Sequence, residues 1–242
     1  MASIHSLAPF AGLDEAVRAE VAALARPARL RRDDVLMTPG NDPGTVGYVA
    51  SGVLRMKKVL ADGSGQIVGL LVAGDIFGRV FDGPVPFAIE AASDCEIFLF
   101  DKTEFESLIG RRPEVERLVI LGLMTELDSA REWLGLLSNH RTIERVAGFL
   151  LFLNRRWSRL SQETGCADGA TVIDIPIKRQ DLAQVLGTRP EAVSRAIHAL
   201  EDEGVIEIVT PYRLRVQDSE ALDHLSGHDL SEDAAAAQLY AE

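Results

Sequence analysis

Apolar residues recur along this chain in three rhythms. Leu13, Val17, Val21 and Leu24 fall at helical spacing and predict a helix over 13–26. From Ala28 to Phe100 the rhythm shortens to brief apolar runs at 35–37, 47–50, 53–56, 67–71, 88–91 and 96–100, each read as a strand. Gly40, Gly52, Gly63 and Gly74 recur every 11 or 12 residues, the spacing of tight turns in a small antiparallel barrel, and Asp62-Gly63 is a hairpin signal. Helical spacing returns over 101–109 and again from Pro113 to Leu137. The long helix carries a main stripe of Val115, Val119, Leu123, Leu127, Ala130, Leu134 and Leu137, widened by Leu118, Leu121, Trp133 and Leu136. So broad a stripe must bury itself on the strands and on a second helix. Ser138-Asn139-His140 breaks the pattern, so 138–141 is the expected hinge. A further helix, 142–157, presents Ile143, Val146, Phe149, Leu150 and Leu153.

The third rhythm is two short helical runs almost in contact. Leu182, Val185 and Leu186 belong to the first, and Val193, Ala196, Ile197 and Leu200 to the second. The gap at Gly187 admits only a tight turn, which gives a helix-turn-helix. Thr188 is placed to cap the second helix, with Glu191 completing a capping box and Pro190 in the first turn. Glu191, Ser194, Arg195 and His198 then share the outward stripe, and their hydrogen-bonding groups suit base edges in a major groove. Two strands follow, 205–209 and 213–216, joined by Thr210-Pro211-Tyr212. A helix-turn-helix with a trailing β-hairpin is a winged helix; an ordinary helical hairpin with a solvated face is the alternative for the helices alone.

Composition changes this picture little and charge changes it more. The chain has 242 residues, 47% of them hydrophobic, enough for two ordinary domains. With no run of 18 apolar residues and no signal-peptide pattern at the N-terminus, a soluble cytoplasmic protein with no membrane partner is expected. The net charge of −12 looks unsuited to nucleic acid. Its distribution resolves this: residues 1–140 carry −6, residues 141–217 carry +1, and residues 218–242 carry −7. Lys178, Arg179, Arg189, Arg195, Arg213 and Arg215 can therefore meet phosphates while the rest of the molecule is repelled. Cys95 and Cys166 form no metal-binding pair and no disulfide framework, and both read as idle thiols. Phosphate-cradling Gly-Lys-Ser/Thr loops, zinc-ligand pairs and Gly-x-Ser-x-Gly elbows are missing from the sequence, so no enzyme is expected and no metal site is assigned.

The sequence resembles the CRP/FNR family of bacterial transcription regulators. The matching residues are Ile173-Asp174-Ile175-Pro176, Arg179-Gln180-Asp181-Leu182-Ala183, Leu186-Gly187, Glu191-Ala192-Val193-Ser194-Arg195 and Leu200-Glu201-Asp202-Glu203-Gly204-Val205-Ile206. The likeness runs over about residues 8–217. It implies an α+β protein: a cyclic-nucleotide-binding-type β-roll over 1–110, a dimerisation helix over 111–138, and a winged helix-turn-helix over 139–217, with 218–242 left as an acidic, mobile tail. The implied partners are double-stranded DNA, RNA polymerase and a second copy of the chain. The expected DNA contacts are Lys178, Arg179, Thr188, Arg189, Glu191, Ser194, Arg195, His198 and Arg213. The expected dimer interface is the stripe Val115, Val119, Leu123, Leu127, Ala130, Leu134 and Leu137. Ala130 stands where oxygen-sensing relatives carry an acidic residue that weakens the dimer.

The effector is less legible. The family's cyclic-nucleotide branch grips phosphate with an Arg-Ser or Arg-Thr pair and a Gly-Glu cassette. Here the cassette reads Gly74-Asp75-Ile76-Phe77-Gly78, and Val85-Pro86 stand at the pair. Gly74, Asp75, Phe77 and Arg79 are the candidate effector pocket, with Arg79 the one cation that could substitute. The FNR branch holds an iron–sulfur cluster on four cysteines, three near the N-terminus, and two scattered cysteines cannot supply it. No cofactor is evident. Haem stays open, with His5 or His140 as a ligand, although no histidine pair has ligand spacing. Otherwise Glu126 to Ser138, Glu144-Arg145-Val146-Ala147 and the trio Glu191, Ser194 and Arg195 resemble the FNR type. That trio implies a half-site near TTGAT paired with ATCAA, in redox, oxygen or nitrogen-oxide-linked control. Two other readings stay open: an effector-binding module acting on a protein partner without DNA, and a cyclic-nucleotide-responsive regulator.

Overall fold

A computed structural model of the chain describes residues 10–41, 44–59, 65–81, 83–138, 141–161, 172–175 and 177–227. The chain divides into two compact units, Met1–Ala130 and Arg131–Glu242.

The first unit opens with a 3₁₀ turn, Phe10–Gly12, and helix α1, Glu15–Leu24. Eight strands follow: β1 Arg26–Leu30, β2 Val35–Met37, β3 Thr45–Ser51, β4 Val53–Val59, β5 Gly65–Val72, β6 Ile76–Gly78, β7 Ala88–Ala91 and β8 Cys95–Asp101. They form two four-stranded antiparallel sheets, ordered β1-β8-β3-β6 and β2-β7-β4-β5. Side chains that alternate along β3 and β8 build two cores. Val46, Tyr48, Phe98 and Phe100 cluster with Val17 and Val21 of α1 and with Phe105 and Leu108 of α2, Lys102–Arg111. The intervening Val49 and Ile97 cluster instead with Leu54, Leu71 and Ile89 of the second sheet. Strands β4 and β5 pair as far as Val59 and Gly65, as the hairpin signal predicts, while Asp62-Gly63 lies outside the described residues. Cys95 is buried with Sγ 3.3 Å from the Val53 carbonyl, and burial pushes its thiol up, so it packs as a protonated thiol. Cys166 lies outside the described residues.

Two strands escape the hydrophobic pattern. Strand β1 is Arg-Pro-Ala-Arg-Leu, a polar edge strand in which Pro27 is tolerated because only β8 pairs with it. Strand β6 has only three residues and lies inside the stretch read as a phosphate cassette.

Helix α3, Pro113–Ser138, contains the boundary between the units. It corrects the expected interface at one end. Val115 and Val119 are buried in the α1–α2 core of the first unit, so they serve that core and are withheld from any partner. Leu123 (60% exposed), Leu127 (45%) and Leu134 (68%) stay open, as does Ala130, and Leu137 is half-buried.

The second unit continues with α4 Thr142–Ser161, β9 Val172–Asp174, α5 Arg179–Val185, α6 Pro190–Asp202, β10 Ile206–Thr210, β11 Arg213–Val216 and α7 Ser219–Leu225. Val146, Phe149, Leu150 and Leu153 turn inward from α4, and the Trp133 ring meets Phe149 and Phe152 edge-on at 6.0 and 5.7 Å. Helix α4 packs on α6 and α7, and α5 packs on α6. The sheet is antiparallel in the order β10-β11-β9.

The structure departs from the sequence pattern at both ends of this region. The capping box is absent: α6 starts at Pro190, its N-cap is Arg189 with no side-chain cap bond, and Thr188 lies one residue too early. Thr188 is engaged in the preceding turn, where its N–H donates to the Ala183 carbonyl at 2.9 Å. Nor does the chain become an unstructured tail at 218. Asp218 accepts the Ala221 N–H at 2.9 Å and so caps α7, whose Leu222 is fully buried. Residues 228–242 lie outside the described residues.

Candidate nucleic-acid interface

The turn between α5 and α6 decides where the outward stripe points. Leu186 is the C-cap of α5, and Gly187 takes φ +59°, the left-handed conformation that glycine adopts without Cβ strain. The Gly187 N–H donates to the Gln184 carbonyl at 3.3 Å and the Thr188 N–H to Ala183 at 2.9 Å, the paired bonds of a Schellman motif. Pro190 then opens α6 at a position whose N–H would find no helical partner. Val193, Ala196, Ile197 and Leu200 are buried beneath it. Glu191, Arg195 and His198 are exposed and Ser194 is half-buried, so the stripe faces outward as its spacing predicts.

The surrounding groups vary in what they can offer. Arg189 is exposed, while Lys178 and Thr188 are half-buried. Thr188 Oγ1 lies 3.5 Å from Thr142 Oγ1. Arg179 is half-buried near Tyr212, and burial holds its guanidinium below the usual arginine value, so it is less open to a phosphate than the sequence suggests. On the wing, Arg213 and Tyr212 are exposed. Arg215, named with the phosphate-meeting cations, is paired with Glu207 at 2.7 Å. Glu201 ties recognition helix to wing: its Oε1 accepts the Ile208 N–H at 3.0 Å, and its Oε2 lies 3.7 Å from His198 Nδ1. The sequence pattern singles out neither Glu201 nor Arg145 for a role at this surface: Glu201 acts through a backbone N–H on the following strand, and Arg145 through a carbonyl 41 residues away.

A helix-turn-helix braced by a three-stranded wing, with an open Glu–Ser–Arg stripe, is the geometry of a groove reader. Residues 144–225 match the family model for a Crp-like helix-turn-helix domain, and residues 27–112 match that for a cyclic nucleotide-binding domain. The nitrogen fixation regulation protein FixK of Azorhizobium caulinodans is 33% identical over 205 residues, covering 85% of this chain and 81% of its own. The chain belongs to the CRP/FNR family of bacterial transcription regulators. The transcriptional activator protein FnrL of Cereibacter sphaeroides is 30% identical over 190 residues, 78% of this chain and 76% of its own. Among solved structures, FixK2 from Bradyrhizobium japonicum superposes with a TM-score of 0.71 at 28% identity, covering 83% of this chain and 96% of that one. The α+β architecture of β-rich sensor domain, long helix and C-terminal helix-turn-helix is that of the family, and the family is one of regulators, not enzymes. No described helix is long and apolar enough to cross a membrane.

The effector candidates separate on inspection. A cavity of about 210 Å³ in the first unit is lined by Phe77, Arg79, Val85, Pro86 and Ile89 among others. Gly74 and Asp75 do not line it. The Asp75 carboxylate accepts the Val72 N–H at 2.8 Å and the Gly74 N–H donates to Val49, so this pair builds the β5–β6 turn. Phe77 is a core residue, its ring lying over Gly47 so closely that a methyl group there would collide with it. At the position of the phosphate-gripping pair, the Val85 N–H is committed to the Asn41 carbonyl at 3.4 Å, and Pro86 has no N–H. A buried phosphodiester would find no donor from either residue, and Arg79, the one cation lining the cavity, turns its Nη1 to the Pro84 carbonyl at 3.5 Å. Titration calorimetry with cyclic AMP should therefore record no binding in the micromolar range; a micromolar dissociation constant would contradict this reading of the cavity.

Proposed function

We propose that this CRP/FNR-family protein is a homodimeric transcription regulator that binds an inverted repeat resembling TTGAT-N4-ATCAA and works with RNA polymerase. Arg195 makes the bidentate contact to guanine, Glu191 accepts from cytosine N4, and Ser194 bonds or packs at the neighbouring base. Lys178, Arg179, Thr188, Arg189, His198 and Arg213 meet phosphates and set the register. Two copies joined along α3 at Leu123, Leu127, Ala130, Leu134 and Leu137 present two such helices to half-sites about one helical turn apart. The observation that carries this reading is the open Glu191–Arg195 edge of α6 above a fully buried Val193 and Leu200.

Control linked to redox, oxygen or nitrogen oxides is the signal proposed, supported by relatives whose names concern nitrogen fixation regulation. No resident cofactor is proposed. Neither His5 nor His140, the haem candidates, is among the described residues. The test is fluorescence anisotropy with three duplexes of equal length: the palindrome, one half-site alone, and a scrambled sequence. Specific binding is expected to exceed scrambled binding by roughly 10³-fold or more at physiological salt, with the single half-site in between. Equal affinity for all three would overturn the proposal.

A further inference from the structure

The first turn of α4 is aimed at the turn of the helix-turn-helix. Arg145 Nη1 donates to the Leu186 carbonyl at 2.9 Å and approaches the Gly187 carbonyl at 3.3 Å. These are carbonyls that α5 cannot satisfy internally, since they lie past its last hydrogen-bonded turn. A guanidinium there also places positive charge at the negative end of the α5 dipole. The arrangement crosses 41 and 42 residues of sequence, so it is tertiary and not a local cap. Thr142, one turn earlier on α4, meets Thr188 on the other side of the same turn at 3.5 Å.

Only Thr188 and Arg189 separate Gly187 from the start of α6. Whatever fixes the Leu186–Gly187 peptide therefore fixes the direction in which α6 leaves, and with it the height and tilt of Glu191 and Arg195. We propose that Arg145 is a positioning residue for sequence reading: it sets the entry angle of the recognition helix through two backbone carbonyls and touches no nucleic acid itself. This rests on the reading of α6 as the base-contacting helix.

That division of labour has a signature. A residue that positions α6 changes discrimination between sequences, whereas a phosphate-binding cation changes binding to all sequences and the salt dependence. Arg145→Ala should weaken binding to the palindrome by on the order of tenfold, the worth of one charge-assisted hydrogen bond. Binding to a scrambled duplex, and the slope of log affinity against log salt, should match the wild type. Arg145→Lys, which keeps the charge and one donor at shorter reach, should recover part of the loss. Independently of DNA, backbone hydrogen exchange at Gly187 and Thr188 should accelerate in Arg145→Ala while the buried amides of α4 keep their protection.

The experiment is the full-length protein, wild type, Arg145→Ala and Arg145→Lys, measured by anisotropy on both duplexes across a salt series. Should Arg145→Ala not fold, the lysine variant carries the comparison. Two outcomes overturn the inference alone: palindrome affinity retained in both variants, or parallel loss on both duplexes with a shallower salt slope, which would make Arg145 a direct phosphate contact. A wild type that does not distinguish the two duplexes overturns the parent reading of α6 as well.

Discussion

Arg195→Ala is expected to cost roughly 1–3 kcal/mol per half-site, chiefly against guanine, and to relax the preferred sequence at that base. The guanidinium is exposed on α6 between buried neighbours, Ala196 and Ile197 following it and Val193 preceding it. Its removal exposes no core and leaves no buried partner unpaired, so the folded state should survive unchanged. The whole effect should then appear in the DNA complex, as the loss of two parallel hydrogen bonds to O6 and N7 of one base. Lys178→Ala is the matched control, weakening every sequence alike and lowering the salt slope. Glu191 can now be tested cleanly as well. Because α6 has no capping box, Glu191→Gln carries no capping penalty, and any change it produces belongs to base choice. A binding assay in which Arg195→Ala keeps wild-type preference at guanine would remove this helix from the reading role.

Leu127→Glu is expected to convert a dimer into a monomer at micromolar concentration. In the first unit α3 leaves Ile120, Leu121, Leu123, Met124 and Leu127 open, five large apolar side chains on about two turns of helix. Apolar surface so concentrated on one element marks an interaction face. Each leucine buried there is worth about 1.5–3 kcal/mol, and a two-fold interface counts each substitution twice. Replacing Leu127 in both copies by a carboxylate should raise the dimer dissociation constant by roughly two to four orders of magnitude. Ala130 brings no acidic charge that an effector would have to neutralise, so the dimer is expected without any ligand. Sedimentation velocity reads this directly. A wild type that sediments as a monomer at micromolar concentration, or a Leu127→Glu variant that remains dimeric, would contradict the interface.

The parts of this molecule that were legible in its sequence are those whose information is local. The helix-turn-helix shows because Leu182 and Val185, then Val193, Ala196, Ile197 and Leu200, keep helical spacing on either side of a glycine that must turn left-handed. The wing shows because two apolar runs flank Thr210-Pro211-Tyr212. What escaped is set by tertiary context. Strand β1 carries a proline and two arginines in five residues, and only its pairing with β8 makes it a strand. Val115 and Val119 share the periodicity of Leu123 and Leu127, yet the core of α1 and α2 reaches only the first two, and periodicity cannot tell a domain core from a subunit seam. The N-cap of α6 is Arg189 and not Thr188, because Thr188 belongs to the Schellman turn, where its N–H makes the closing bond. Helix α7 reads as tail in the sequence because its seven residues are mostly polar, and the single buried Leu222 gives no periodic signal. Arg145 was visible only as part of a family-like Glu144-Arg145-Val146-Ala147 run, since its carbonyl partners lie more than forty residues away.

In the proposed complex α6, presented twice by a symmetric dimer, reads DNA sequence with Glu191, Ser194 and Arg195. The most direct measurement is selection of bound duplexes from a randomised library by the wild-type protein, followed by sequencing. The expected result is an inverted repeat with a central GA step in one half-site, TC in the other, and half-site centres about one helical turn apart. Enrichment of an unrelated motif, of a direct repeat, or of no sequence at all would contradict it.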